Sequence, residues 1–199
     1  MNIEFSRQDL RRLIVPLVIE QLLAITVGLF DSVMVSQVGE AAISAVSLVD
    51  TVNVLLVNAF AALATGGAAI AGQYLGRREP EKAGHSSAQL LLFMGEVSLL
   101  ITLLFYLGRG FVLGTVFGQV EPDVAAYANT YYLIVESSTP FLAIYSAGAA
   151  LFRVMGNSRI SMWVSLGMNA INVAGNALLI FGFHMGVEGV AIPTVVSRL

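Results

Sequence analysis

The chain has 199 residues, 57% of them hydrophobic and only 12% charged, with a mean hydropathy of +0.81. Ordinary soluble domains carry about 25% charged residues, so this composition excludes a compact water-soluble fold and points to an integral membrane protein. The net charge of −3, with no basic patch interleaved with aromatics, argues against nucleic-acid binding, and the lack of cysteine excludes disulfides and thiolate metal sites.

The N-terminal segment MNIEFSRQDLRR has the look of a signal-peptide n-region. The apolar run behind it, residues 13–36, is too long for an h-region, and further spans follow, so it reads as a retained first span. A span needs roughly 20 apolar residues, and four more stretches qualify: 46–75, 88–108, 124–151 and 160–182. A sixth opens with GVAIPTVVSRL at residues 189–199. About ten helical residues cover only ~15 Å, half the hydrocarbon core, so a truncated sixth helix and a longer parent protein are expected. The fold class is all-α, a polytopic helical bundle.

Basic residues set the expected orientation. Arg7, Arg11 and Arg12 precede the first span, Arg77, Arg78 and Lys82 follow the second, and Arg153 and Arg159 flank the loop after the fourth. The opposite loops hold only Arg109, beside Glu40, Glu121, Asp123 and Glu188. The excess of lysine and arginine places the N-terminus in the cytoplasm of a cell-membrane protein. Arg198 falls within the sixth span, and the sequence offers it no partner. Gly-x-x-x-Gly spacings such as Gly72–Gly76 and Gly182–Gly186 are expected by chance in a chain with 19 glycines.

Acids and amides inside a membrane are rare and are functional candidates. Counted at ~1.5 Å per residue, Asp31 lies in the outer half of the first span. Asn169, Asn172 and Asn176 share one face of the fifth, through spacings of three and four. Thr194 lies a turn or two below the outer surface in the sixth. Asp31, Asn172, Asn176 and Thr194 thus occupy one layer. A carboxylate there can take a proton, because burial disfavours the charged form. It can instead coordinate a hard cation such as Na⁺ with amide and hydroxyl oxygens completing the shell. Glu20, three turns from Asp31 on the same face, and Glu96 and Glu136 are expected in the inner half. Glu20 and Glu136 are candidates for the polar lining of an inner cavity, and a structural pairing is the competing reading. Asp50 reads as a cap or rim residue near the outer surface. No metal-ligand spacing surrounds His85 or His184, and phosphate-loop, zinc-protease and nucleophile-elbow motifs are absent. Secondary transport is therefore the simplest reading, and an enzyme is not expected.

The runs PLVIEQLL (16–23), FDSVMVSQVG (30–39), AVSLV (45–49), ALATGGAAIAGQYLGR (62–77) and GVEGVAIPT (186–194) resemble the N-terminal half of multidrug and toxic compound extrusion (MATE) transporters. The resemblance runs the length of the chain in the same order. It implies one six-helix lobe of a twelve-helix transporter, with the other lobe as its missing partner. It further implies outward movement of cationic amphipathic compounds in exchange for H⁺ or Na⁺, with no cofactor beyond that ion. Asp31 matches the family's first-helix coupling acid, Asn172 and Asn176 its fifth-helix polar pair, and Thr194 its sixth-helix hydroxyl. Where many relatives carry an aspartate, this chain has Asn176, which removes one acid and opens the question of the ion. Pro16 and Gly28 are expected bending points of the first helix, and Phe30, Tyr131, Phe141 and Tyr145 are candidates to stack on a drug. Two competing functions are a lipid-linked precursor flippase or polysaccharide exporter, and a non-transporting membrane subunit.

Overall fold

The computed structural model describes the backbone of residues 7–199; the side chains of Arg7 and Arg12, used above for orientation, lie outside the described residues. Helix α1 covers Arg7–Ser36, and its apolar sequence accommodates Pro16 without ending. A short turn leads through Gly39, whose φ of 135° a side chain would resist, into α2, Glu40–Gly76. Glu40 sits in the first turn, where the helix dipole favours an acid. At 37 residues α2 is ~55 Å long, well beyond the ~30 Å hydrocarbon core. Helix α3, Pro80–Leu107, begins on a proline, as does α4, Pro122–Glu136. Proline suits the first turn because the amide hydrogen it lacks would be unpaired there anyway. Between them lie a helical turn, Arg109–Phe111, and a π-helical turn, Val112–Val116. Then come α5, Thr139–Val154; α6, Ser158–Ala177, prolonged by a π-helical turn at Leu178–Gly182; and α7, Glu188–Arg198.

The sequence suggests one continuous helix over 124–151, whereas the structure breaks it at Ser137–Ser138. Pro140 is the cause. It cannot donate to the carbonyl of Glu136, and its ring crowds that carbonyl. The chain tightens instead: Ser137 and Ser138 donate their amides to the carbonyls of Ile134 and Val135, three residues back, at 3.2 and 3.0 Å. Their hydroxyls bond the same carbonyls at 2.6 Å each. Serine side chains of this kind let a broken helix persist in lipid.

Four of the described helices are long and apolar enough to cross a membrane: Leu13–Ser36, Glu40–Gly76, Pro80–Leu107 and Ser158–Gly182. Together with the broken α4–α5 pair they make a multi-pass helical membrane protein. Large apolar side chains such as Leu22, Leu29, Leu92 and Leu103 are turned outward, as lipid contact or a further packed element requires. Helix α2 is the spine, packed on α3, α4 and α5, while α1 lies mainly on α6 and α7 packs between α4 and α6. Two cores lie along it. One joins Val35, Val49, Tyr132, Val187 and Val190; the other joins Phe60, Met94, Ala143 and Ala147. Small residues set the closest approach: a Cβ added at Gly175 in α6 would lie 2.7 Å from Cβ of Pro193 in α7. That contact holds the faces of α6 and α7 together at the level of the polar layer.

Candidate functional site

Asn172, Asn176 and Thr194 converge because of this tight α6–α7 crossing. Asn172 and Asn176 are one turn apart on α6, and Thr194 follows Pro193 on α7. Asp31 reaches them from α1. The Asn176 amide nitrogen donates to Oδ1 of Asp31 at 2.7 Å. The Asn172 amide has two consistent settings. With its nitrogen toward α1 it donates to the two Asp31 oxygens at 3.0 and 3.3 Å, while its oxygen accepts from the Thr194 hydroxyl at 3.1 Å. Turned over, its nitrogen donates to Thr194 at 3.1 Å and its oxygen accepts from Asn176 at 3.3 Å. The first setting suits a charged carboxylate and the second a protonated one, which would itself donate to the amide oxygen. Asn176 is fully buried, yet its Oδ1 has no partner among the described residues. A buried acceptor of this kind costs stability unless something donates to it or binds it.

The layer inferred from depth alone is therefore a contact cluster. Asn169, on the same face of α6, lines the adjoining cavity, and its amide nitrogen has no partner. Two cavities border Asp31. One of 80 Å³ lies toward Ile43, Ser47 and Val190; the other, of 210 Å³, lies toward Asn53, Asn169 and Arg198. Asp50 and Tyr131 line both.

Asp50 lies deeper than the sequence suggests. Its helix begins at Glu40 rather than near 46, which sets Asp50 ten residues, or ~15 Å, inside the helix. It is no rim residue: Tyr131 donates its hydroxyl to Oδ1 of Asp50 at 3.3 Å. Glu40 and the serines of the first turns conceal this start, because they lower the hydropathy that marks a span. Arg198 also finds its partners here, donating to Ser138 Oγ at 2.9 Å and Asn53 Oδ1 at 3.4 Å. Tyr131 is buried in this network, away from the apolar pocket that Phe141 and Tyr145 line.

Glu20 and Glu136 are both engaged by neighbouring side chains. Glu20 forms an ion pair with Arg153 of α5 at 2.9 Å, and accepts from Tyr145 at 3.2 Å and Ser161 at 3.3 Å. Glu136 is fully buried at the break, accepting from Thr139 at 3.0 Å. It stands eighteen residues, or ~27 Å of helix, from Val154, so it is not in the inner half. An unbroken helix over 124–151 would already set it ~22 Å from Leu151, so the break at Pro140 is not what moves it outward. Glu96 is exposed on the apolar outer side of α3. Nearer the basic end, Phe141, Ile144, Tyr145, Val164 and Met168 line an apolar pocket of 480 Å³ that touches Arg198. No group of three or more histidine, cysteine or carboxylate side chains able to hold a metal ion occurs among the described residues.

Comparison with known proteins adds a common pattern. Residues 16–178 match the family model described as MatE. The uncharacterized transporter YisQ of Bacillus subtilis is 27% identical over 190 residues, covering 92% of this chain and 41% of that protein. The probable multidrug resistance protein NorM of Thermotoga maritima is 25% identical over 199 residues, covering 96% and 42%. A solved structure described as the outward-facing conformation of a multidrug resistance MATE family transporter of the MOP superfamily superposes with a TM-score of 0.89 at 19% identity, again over 96% and 42%. At that identity the likeness concerns the fold. The chain spans about two fifths of the length of these relatives, consistent with an N-terminal half.

Proposed function

Since the chain belongs to the MatE family, we propose that Asp31, Asn172, Asn176 and Thr194 bind the coupling ion of a secondary active multidrug antiporter. MATE transporters are ion-coupled and are not enzymes. In this reading the N-terminus is cytoplasmic, the membrane is the plasma membrane, and the exported compounds are cationic and amphipathic.

One observation supports the reading above the others: a single carboxylate accepts from two amides, one of which is in turn bonded to the Thr194 hydroxyl, next to a buried Asn176 oxygen that lacks a donor. Such a cluster suits a proton, with the Asn172 amide turning to accept from the carboxyl. It also suits Na⁺, which would draw oxygen ligands from Asp31, Asn176 and Thr194. In either case loading the site removes a negative charge from α1 and changes what Asn172 and Asn176 can hold. Gly28, one turn before Asp31, offers the point at which the outer part of α1 bends. The ion acts only through its different affinity for the two arrangements of the helix. Drug and ion therefore exclude each other when each favours the opposite state. The 480 Å³ pocket with Phe141 and Tyr145 is the apolar surface on this lobe suited to a drug; the second lobe would complete the chamber and rock against this one.

The test is ethidium efflux from vesicles carrying the full-length transporter, with H⁺ and Na⁺ gradients imposed separately, for wild type and Asp31→Asn. Efflux that follows one gradient and disappears in the variant names the ion and assigns Asp31 its role. Undiminished pumping by the variant rules that role out, and leaves a structural subunit as the better account.

A further inference from the structure

Arg198 lies beside the proposed ion site but makes no use of it. Its guanidinium, carried on the same face of α7 as Thr194 one turn earlier, is bound to two neutral groups, Ser138 Oγ at the α4–α5 break and Asn53 Oδ1 on α2. No carboxylate among the described residues comes within 4.0 Å of it. Yet Asp31, Asp50 and Arg198 line the same 210 Å³ cavity, and Glu136 and Tyr131 also lie within reach of its charge. A guanidinium has five N–H donors, and only two bonds to it occur among the described groups. An arginine inside a membrane normally pairs with an acid. This one is held short of two.

We propose that Arg198 is a tethered counter-cation that moves onto the Asp31–Asp50 carboxylates when the coupling ion leaves. The inference rests on the assignment of Asp31 as the coupling acid. Within the cavity lining two carboxylates oppose one guanidinium, so a single monovalent cation neutralises the lining, and after its release the guanidinium is the nearest replacement. The cavity supplies the space for that movement. Asn53 and Ser138 supply the resting position, and the shared helix face couples the movement to Thr194. By competing for the carboxylates, Arg198 weakens ion binding and speeds release on the side where the ion is discharged. The site would then never stand as two uncompensated charges in a low-dielectric interior, an arrangement with a high cost.

The experiment measures, in vesicles bearing the full-length transporter, the concentration of coupling ion that gives half-maximal efflux. Arg198→Gln removes the competitor and lowers that concentration at least roughly ten-fold, the effect of a unit charge about 12 Å away at an effective dielectric of about 20. Ser138→Ala loosens the resting position and shifts it the opposite way. Arg198→Lys keeps the charge and stays near wild type. An unchanged or raised value for Arg198→Gln, or Arg198→Gln and Ser138→Ala shifting together, overturns the proposal. Should Arg198→Gln fail to accumulate, an unchanged value in Ser138→Ala does the same. Asp31→Asn separates the two ideas: if it abolishes ion dependence while Arg198→Gln changes nothing, only the counter-cation role is lost.

Discussion

Replacing Arg153 with methionine strands the Glu20 carboxylate between α1, α5 and α6, and the cost follows from the exposure of the pair. Removing one partner of a fully buried ion pair costs about 3–5 kcal/mol, whereas an exposed pair is worth about 0–1 kcal/mol. The Arg153 side chain is 34% exposed and that of Glu20 15%, so the pair falls between. Glu20 would keep the Tyr145 hydroxyl, and the Ser161 hydroxyl only in part, because it also bonds the Ser158 carbonyl at 3.0 Å. A loss of about 2 kcal/mol is expected for Arg153→Met. Glu20→Gln should cost less, since a neutral amide tolerates the pocket. The double variant should then be more stable than Arg153→Met alone, because the stranded charge is gone. Thermal unfolding in detergent, followed by size-exclusion fluorescence, gives the four corners of the cycle, and the coupling should exceed 0.5 kcal/mol, as for residues in contact. If the losses of the two single variants simply add in the double variant, the pair does not hold α1, and this reasoning is refuted.

Other outcomes follow from the same geometry. Gly175→Ala places a methyl 2.7 Å from Pro193 Cβ, forcing α6 and α7 apart. A loss of about 1–3 kcal/mol, read as a lower unfolding midpoint, should come with weaker ion coupling; wild-type stability would contradict the close approach. Asn176→Asp puts a second carboxylate beside Asp31 and should raise the number of ions exchanged per drug, measured by paired flux assays, with an unchanged ratio as the opposing result. Tyr131→Phe removes the hydroxyl that serves Asp50. It should cost about 1 kcal/mol in the same unfolding assay, and no change in midpoint would show that this bond contributes nothing.

The helical class and the polar layer were legible because both rest on local counting. Apolar runs mark spans, and rise per residue converts position into depth, so Asp31, Asn172, Asn176 and Thr194 were found at one level before any contact was known. Their meeting was not legible, since it depends on Gly175 admitting Pro193, a contact between helices that no periodicity encodes. Asp50 was missed because polar residues at the start of α2 mask its first turns. Glu136 was within reach of the same counting, since fifteen residues to Leu151 already set it ~22 Å from the inner end; what the apolar run concealed is that Pro140 divides the helix beside it. Arg198 and Glu20 carried a visible signal, a charge within a span, but the partners Asn53, Ser138 and Arg153 lie 145, 60 and 133 residues away in sequence.

Only 6% of the most apolar window of α1 is buried, against 28% for α2. This helix packs chiefly on α6, and two polar fastenings pin it along its length: Glu20 to Arg153, and Asp31 to Asn176. Eleven residues separate them, close to three full turns, so both act on one side of the rod. A rod fixed twice along a single line cannot spin about its own axis or slide by a fraction of a turn. It can still flex away from the line. Releasing the upper fastening while the lower one holds leaves a single soft degree of freedom, a swing of the outer segment, and an ion acting at one carboxylate needs no more than that to produce a directed motion.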